Sequence, residues 1–496
     1  MSGLAKVEDS LRVQSILMTG VRMLRTLLTI AIPIVLVRVL AQSDFGTYKQ
    51  IVLISTTALG LLSLGLPASL FYFIPRQPER SQVFITQTAL VFALTSAIGG
   101  LLVGFNPGLL ERWFGAEIAR FSLWGGILVA LSLTSLLDVL MVVDRRVRLA
   151  AASSAALDAA HGVLVVLAAL ITRNLTWVFV AISFSLLLRV FVLIGYIRWR
   201  AGVHPAEDRS WTLRQQFGYA MPFFLATLVA TARDQLHAFF VAANYDAVQF
   251  AIYAVGTIQL PLVNQFMQSI GETIVLENSK NYATGQLSEM RRVWHRATYF
   301  VALVMLPLFF IMEFFATDAI SFVFGARYAE AAGVWRVFVF MLPLTIMLGA
   351  TMLRATGDLK RMIAADVISL GVTVATLLLF AKSLGILAAV LSIVVGNAAL
   401  NVIVAGRVIN RFGFTLGTYL QWGRILTVAL VAAACAATGY FTTQLLPLWA
   451  RIFVGPGIAG IAYFGITWAM GLIPESERKL LLEVLRRIGM RLGLVK

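Results

Sequence analysis

Three ionisable side chains lie within about one helical turn of each other inside an apolar stretch of this sequence. Arg233, Asp234 and His237 fall near the middle of residues 217–243. Arg233 and His237 share one face of a helix, and Asp234 lies about 100° around from Arg233. The group could be an Arg–Asp pair that neutralises itself and fixes packing. It could also form a cationic wall of a cavity in which His237 or Asp234 exchanges a proton.

Further basic side chains occupy other apolar stretches. Arg22 and Arg25 share a face of the first stretch, Lys49 lies one turn into the second, and Arg189 is central in the sixth. An ionisable side chain in hydrocarbon costs at least a few kcal/mol, so it usually faces a bundle interior or an aqueous cavity. These residues predict a cationic, substrate-binding lumen. The alternative for Arg22 and Lys49 is extension to the membrane surface.

Carboxyl groups are also placed at membrane depth. Asp138, Asp158 and Glu272 fall in the fourth, fifth and eighth stretches. Carboxyl groups in such surroundings are often protonated or paired with arginine. Together with Asp234 they are therefore candidates for carrying coupling protons, and the sequence does not choose among them.

Cofactor and metal chemistry find no support in the residue pattern. The one cysteine, Cys435, lies in an apolar stretch, and the four histidines never occur at the spacing of a metal-ligand pair. The net charge of +16 would suggest nucleic acid in a soluble protein. No basic patch with interleaved aromatics supports nucleic-acid binding, and basic cytoplasmic loops of a membrane protein explain the charge. We expect no cofactor, no metal and no enzymatic activity.

Long apolar stretches are the elements that must position these side chains. Only 13% of the 496 residues are charged, and the mean hydropathy is +0.87, far from a soluble domain. About twenty apolar residues suffice to cross a bilayer as a helix. The pattern predicts an all-α polytopic membrane protein of about fourteen spans: 15–40, 45–73, 82–105, 118–143, 149–172, 177–198, 217–243, 247–276, 293–315, 334–355, 362–382, 386–408, 419–446 and 453–473.

The distribution of basic residues predicts the orientation. With the N-terminus inside, the cytoplasmic segments hold 28 Lys and Arg and the opposite side holds 8. This bias favours cytoplasmic termini and an even number of spans. Both of the longest outer loops, at about 106–117 and 316–333, are too short to form a domain.

An internal repeat suggests two related halves. Residues 43–48, SDFGTY, open the second span, and residues 248–253, VQFAIY, open the eighth; residues 144–149 and 357–362 resemble each other likewise. A shift of six helices preserves orientation, so the halves would be parallel repeats. We predict a six-helix bundle at 1–200, a connector at 201–216, a second six-helix bundle at 217–411, two additional helices at 412–473 and a basic cytoplasmic tail at 474–496.

The opening of the chain resembles a known family. Residues 36–48, LVRVLAQSDFGTY, and 64–70, LGLPASL, resemble the start of polysaccharide-transport flippases of the multidrug/oligosaccharidyl-lipid/polysaccharide (MOP) exporter superfamily. The topology extends the resemblance over the whole chain. It implies translocation of an oligosaccharide on undecaprenyl pyrophosphate across the bacterial cytoplasmic membrane, by alternating access, for exopolysaccharide or lipopolysaccharide synthesis. It also implies membrane lipids and other polysaccharide assembly proteins as partners.

Rival functions differ in the residues they need. A multidrug exporter of the same superfamily typically has a carboxylate-lined site and about twelve helices, whereas a lipid II exporter would differ mainly in cargo. A membrane polysaccharide polymerase or ligase typically carries its catalytic residues on a large outer loop. A structural scaffold would not need Arg25 or Arg233 at membrane depth. The intramembrane arginines, which could hold a pyrophosphate through their planar forks, favour an anionic lipid-linked cargo.

Overall fold

A computed structural model describes residues 30–203, 210, 212–475, 477–479 and 483. These residues are helical, with no strand among them. The helices of the first part are α1 Ile30–Val39, α2 Gln42–Leu62, α3 Leu66–Arg76, α4 Ser81–Gly104, α5 Pro107–Phe114, α6 Ala116–Ala119, α7 Ser122–Ala130, α8 Leu136–Val143, α9 Val147–Thr172, α10 Leu175–Val203, α11 Leu213–Asn244 and α12 Ala247–Gly256.

The helices continue to the end of the described chain. They are α13 Pro261–Ala283, α14 Leu287–Phe314, α15 Ala316–Phe324, α16 Ala331–Phe338, α17 Met341–Leu344, α18 Gly349–Ala355, α19 Leu359–Leu384, α20 Ile386–Phe412, α21 Leu416–Tyr419, α22 Trp422–Thr442 and α23 Leu448–Ala469.

Hydropathy and helix length together confirm a polytopic membrane protein. Ten helical segments of the described chain are long and apolar enough to cross a membrane, or up to twelve if each of two bent pairs is one span. The predicted spans coincide with them, apart from the first and the seventh. The described part of the first is α1; the seventh is α11, a 32-residue helix whose centre carries Arg233, Asp234 and His237.

Several predicted spans are interrupted rather than continuous. α12 and α13 are bent by 47° just before Pro261, and α17 and α18 are separated by a break at Leu348, whose φ is +42°. Short 3-10 segments occur within the fourth and tenth spans, at Leu131–Ser135 and Thr345–Met347. Hydropathy does not register such breaks, because the residues on both sides of each are equally apolar.

Two loops that are predicted to lie on the outer side carry a repeat that was not recognised from the sequence. Phe-Gly-Ala occurs at 114–116 and again at 324–326, each time after a short helix. Gly115 and Gly325 adopt nearly the same conformation, with φ of 90° and 99° and ψ of 169° and 155°. Side-chain-bearing residues avoid this region, so glycine is required at both turns. This pair supports the predicted shift of six helices between repeats.

Contacts among the described residues group the chain into two units. The first unit comprises Met1–Asn264 with Leu370–Ile393, and the second Gln265–Ser369 with Val394–Lys496. The predicted boundaries at 200, 217, 411 and 473 derive from the sequence repeat, and they stay a prediction.

In the first unit, α2 packs closely against α12. A Cβ atom on Gly46 would lie only 1.8 Å from the carbonyl oxygen of Ala247. The absence of a side chain at Gly46 therefore permits the approach of the two backbones. The two segments that resembled each other in sequence, at 43–48 and 248–253, thus begin at one helix–helix contact.

Candidate functional site

Arg189 joins two predicted coupling residues in the first unit. Its Nη2 atom lies 3.3 Å from Asp158 Oδ1 and 3.7 Å from Asp138 Oδ2. The side chains of Arg189 and Asp158 are 17% and 20% exposed, and that of Asp138 is 37% exposed. One guanidinium nitrogen thus faces two carboxylates from two other helices. We call this cluster, Asp138, Asp158 and Arg189, the triad.

The helices place the triad deep in the membrane region. Asp158 and Arg189 lie near the middle of the long helices α9 and α10, and Asp138 follows a 3-10 segment at the start of α8. Arg189 is about 21 Å from either end of its 29-residue helix. Burial at this depth makes the charges costly unless they neutralise one another.

Hydroxyl groups complete the surroundings of the triad. The hydroxyl of Ser154 donates a hydrogen bond to Asp138 Oδ1. His161 Nδ1 is hydrogen-bonded to Ser185 Oγ at 2.7 Å. This hydrogen bond joins α9 to α10.

The predicted cluster on α11 splits into two separate arrangements. Arg233 Nε lies 2.8 Å from Asp234 Oδ1, with side-chain exposures of 11% and 51%. His237 is buried and its Nδ1 is hydrogen-bonded to the hydroxyl of Tyr253 on α12. Because the imidazole engages α12, it contributes to packing between α11 and α12, while Arg233 and Asp234 form a local ion pair.

Lys49 on α2 differs from the arginines in having no acidic neighbour. Among the described residues, no carboxylate lies within 4 Å of its ammonium group. Lys49 Nζ instead lies 5.7 Å from the centre of the Phe45 ring, one turn earlier. A membrane-embedded cation held only by an aromatic ring can still bind an anion.

Glu272 lies apart from the other candidates, in the second unit. Its Oε1 accepts a hydrogen bond from Gln268 Nε2 at 3.1 Å. Both residues line a cavity of about 660 Å³ between α13, α17–α18 and α20. Arg22 and Arg25 lie outside the described residues.

Polar residues of this second-unit cavity escaped the sequence analysis. Asn397 and Asn401 lie on α20, and Arg354 lies in the last turn of α18. The sequence did contain a signal for these residues, namely two pairs of polar residues at i, i+4 spacing, each on one helix face. The pairs are Gln268 with Glu272, and Asn397 with Asn401. An uncharged amide at membrane depth is a weaker sequence signal than a charge, because its burial costs less. In the described chain, no group of three or more His, Cys, Asp or Glu could hold a metal ion.

The many spans and the polar groups among them define an all-α multi-pass membrane protein. A family model described as "polysaccharide biosynthesis protein" matches residues 35–333, more than half of the chain. The chain belongs to this family. No curated protein sequence matches the chain.

Solved structures of membrane transporters share the fold of this chain. The lipid II flippase MurJ in an inward closed conformation superposes with a TM-score of 0.72 at 12% identity, covering 92% of this chain and 99% of MurJ. An inward-facing multidrug resistance MATE family transporter gives a TM-score of 0.62 at 12% identity, covering 78% and 94%. A Vibrio cholerae MATE transporter gives 0.54 at 13% identity, covering 83% and 99%.

Proposed function

We propose that this protein translocates a lipid-linked oligosaccharide, carried on undecaprenyl pyrophosphate, from the inner to the outer leaflet of the bacterial cytoplasmic membrane. The observation that carries the proposal is the set of basic side chains at membrane depth in a member of a polysaccharide biosynthesis family. The cargo has an anionic pyrophosphate that must cross the hydrocarbon. Fixed cations in a low-dielectric cavity offset the cost of that step.

Basic residues in the first unit are the proposed pyrophosphate ligands. They are Lys49 and Arg233, with Arg22 and Arg25 from the sequence. Arg189 was also predicted to line the lumen, but its guanidinium faces the two carboxylates of the triad, so we assign it to that cluster. Lys49 is the strongest of the described set, because it has no carboxylate within 4 Å. Arg233 offers a planar fork that matches phosphate oxygens. His237 is bonded to Tyr253, which supports a structural role beside this site.

Release to the outer leaflet requires the outer side of the protein to open. With the predicted cytoplasmic N-terminus, α2 and α12 both begin at the outer side. Their close contact at Gly46 and Ala247 would then close that side to cargo. Alternating access would separate the two helices there.

The triad is the proposed site of proton coupling. With both carboxylates ionised, Asp138, Asp158 and Arg189 carry one net negative charge, and uptake of one proton makes the cluster neutral. Exchange of that proton with water on one side of the membrane and then on the other would couple transport to a proton gradient. Asp234 and Glu272 remain alternative coupling residues.

Transport by the purified protein in proteoliposomes tests the proposed cargo. We expect flipping of undecaprenyl-pyrophosphate oligosaccharide and no export of organic cations. Export of a fluorescent organic cation, with no lipid-linked glycan moved, would support a multidrug exporter instead. Flipping of lipid II alone would identify a lipid II exporter.

A further inference from the structure

The cavity of the second unit contains a polar surface that the proposed pyrophosphate site does not use. It lies between α13, the segment from α17 to α18, and α20, and has a volume of about 660 Å³. This volume falls within the range of about 300–1,000 Å³ that is typical of small-molecule sites. Its apolar surface comes from side chains such as Met267, Leu276 and Leu344.

Hydrogen-bonding groups of both kinds face this cavity. Glu272 and Gln268, bonded to each other at 3.1 Å, supply carboxylate and amide groups from α13. Asn401 donates its amide N–H to the carbonyl oxygen of Asn397 at 3.0 Å, which leaves its side-chain oxygen as an acceptor. The hydroxyls of Thr345 and Thr351 donate to carbonyls of their own segments at 2.6 Å and so offer lone pairs.

Two opposite charges line the cavity without neutralising each other. Arg354 and Glu272 both line it, yet they are not within the 4 Å of an ion pair. The side chain of Arg354 makes no ion pair or hydrogen bond with any other described residue. Its guanidinium carries five N–H donors, and Glu272 is an acceptor while it is ionised. The cavity therefore offers separated donors and acceptors.

We propose that this cavity binds sugar residues of the cargo glycan, an inference that rests on the proposed function. A sugar hydroxyl donates and accepts hydrogen bonds, and the ring presents C–H faces that pack on Met and Leu side chains. A pyrophosphate suits the cavity poorly, because one guanidinium would have to offset it beside the Glu272 carboxylate. An organic cation is opposed by Arg354. A dehydrated hard cation would lack the several oxygen-bearing acidic ligands it prefers.

The two ends of the cargo are thereby assigned to different units. Cations of the first unit take the pyrophosphate, and amides and separated charges of the second unit take the sugars. Variation at Gln268, Asn397 or Asn401 would then change which repeat units are accepted. Recognition by these amides is selective, since a sugar that does not match them leaves polar groups without hydrogen-bond partners in the complex.

Single substitutions of cavity residues in the full-length protein test the inference. Asn401→Leu and Arg354→Gln each remove cavity hydrogen-bonding groups, whereas Asn410→Leu changes an exposed asparagine on the same helix, α20, outside the cavity. Each variant in nanodiscs is titrated with two probes: the repeat-unit oligosaccharide released from the source bacterium's lipid carrier, and sugar-free undecaprenyl pyrophosphate.

We expect Asn401→Leu and Arg354→Gln to weaken oligosaccharide binding by about tenfold, the loss typical of one hydrogen bond to a polar or charged group. Their binding of sugar-free undecaprenyl pyrophosphate should equal that of wild type, which also shows that they are folded. Asn410→Leu should bind both probes normally. Wild-type affinity for the oligosaccharide in both cavity variants, or an equal loss for both probes, would overturn the inference.

Failure of the proposed function gives a different result. A wild-type protein that binds the oligosaccharide through Asn401 and Arg354 but flips no lipid-linked glycan would contradict the flippase and retain the sugar site. A wild-type protein that flips the glycan but binds no free oligosaccharide would contradict the sugar site alone.

Discussion

The guanidinium of Arg200 holds the carboxylate of Asp144 in a nearly buried ion pair. Arg200 Nε lies 2.9 Å from Asp144 Oδ2 and 3.0 Å from Oδ1, with side-chain exposures of 4% and 11%. Tyr196 donates its hydroxyl to Asp144 Oδ2 at 2.7 Å, and Arg200 Nη1 donates to Gln82 Oε1 at 3.1 Å. The turn after α8 is thereby tied to the end of α10 and the start of α4.

The second unit contains a matching pair. Arg411 Nη1 lies 2.8 Å from Asp358 Oδ2, and Arg361 lies 3.2 Å from the same oxygen. In each predicted repeat, an aspartate follows the fourth membrane span of that repeat, and it pairs with an arginine near the end of the sixth span. The same kind of Asp–Arg ion pair thus holds the predicted cytoplasmic end of each repeat together.

Removal of the Asp144 carboxylate should destabilise the protein. Asp144→Asn leaves Arg200 buried without its counter-charge, and such a loss typically costs about 3–5 kcal/mol. Thermal unfolding is followed by the fluorescence of the ten tryptophans. The purified Asp144→Asn variant should have a markedly lower Tm than wild type. Glu289→Gln is the control, because its ion pair with Arg292 is largely exposed and contributes about 0–1 kcal/mol. Equal Tm values for the two variants would contradict this account of Asp144.

A side chain at Gly46 should force α2 and α12 apart. Gly46→Ala would place its Cβ 1.8 Å from a backbone oxygen, which cannot rotate away. We expect a lower Tm and a lower yield of monodisperse protein. Gly195→Ala on α10 has no atom within 4 Å of the new Cβ and should behave like wild type. A Gly46→Ala protein as stable as Gly195→Ala would mean that the close contact is absent in the membrane.

Neutralising the triad should remove the response to a pH gradient. Asp158→Asn takes away the carboxylate nearest to Arg189, so the cluster becomes neutral without a proton. Transport by this variant should no longer change when an inward or outward pH gradient is imposed. Glu111→Gln, at an exposed position on α5, keeps the wild-type response. If Asp158→Asn and Asp138→Asn both respond to the gradient as wild type does, the triad is not the coupling site.

Labelling of introduced cysteines should establish the orientation. Cys435 is buried, and Cys435→Ala provides a background in which single cysteines replace Lys360 and Lys382 near the two ends of α19. These positions are about 33 Å apart along the helix. On intact spheroplasts, an impermeant maleimide should label the cysteine at 382 and spare that at 360. The reverse pattern would place the termini outside.

Hydropathy alone predicted most of the helices, because the solvent around them is lipid. It could not predict the break at Leu348 or the 3-10 segments, since these depend on local packing and not on polarity. The repeat at 144–149 and 357–362 was recognised from sequence, yet the partners Arg200 and Arg411 lie more than fifty residues further on. Only the folded chain brings them to the aspartates.

The candidate site was predictable residue by residue, but its grouping was not. Asp138, Asp158 and Arg189 were each predicted as a charged residue at membrane depth, and the structure places them in one cluster from three helices. Conversely, helical spacing grouped His237 with Arg233, whereas tertiary packing directs His237 to Tyr253. Helical periodicity defines a face of one helix and carries no information on which helix faces it.

The proposed flippase is tested most directly by transport of labelled undecaprenyl-pyrophosphate oligosaccharide in proteoliposomes. The rates are compared between wild type, Arg233→Ala and Arg292→Ala. Arg233 lies at membrane depth, and Arg292 is 78% exposed at the start of α14. We predict that wild type and Arg292→Ala flip the lipid at similar rates, and that Arg233→Ala is slower by about tenfold or more, the loss of a charge-assisted hydrogen bond. Unimpaired flipping by Arg233→Ala would contradict the cationic lumen, and no flipping by wild type would contradict the proposed function itself.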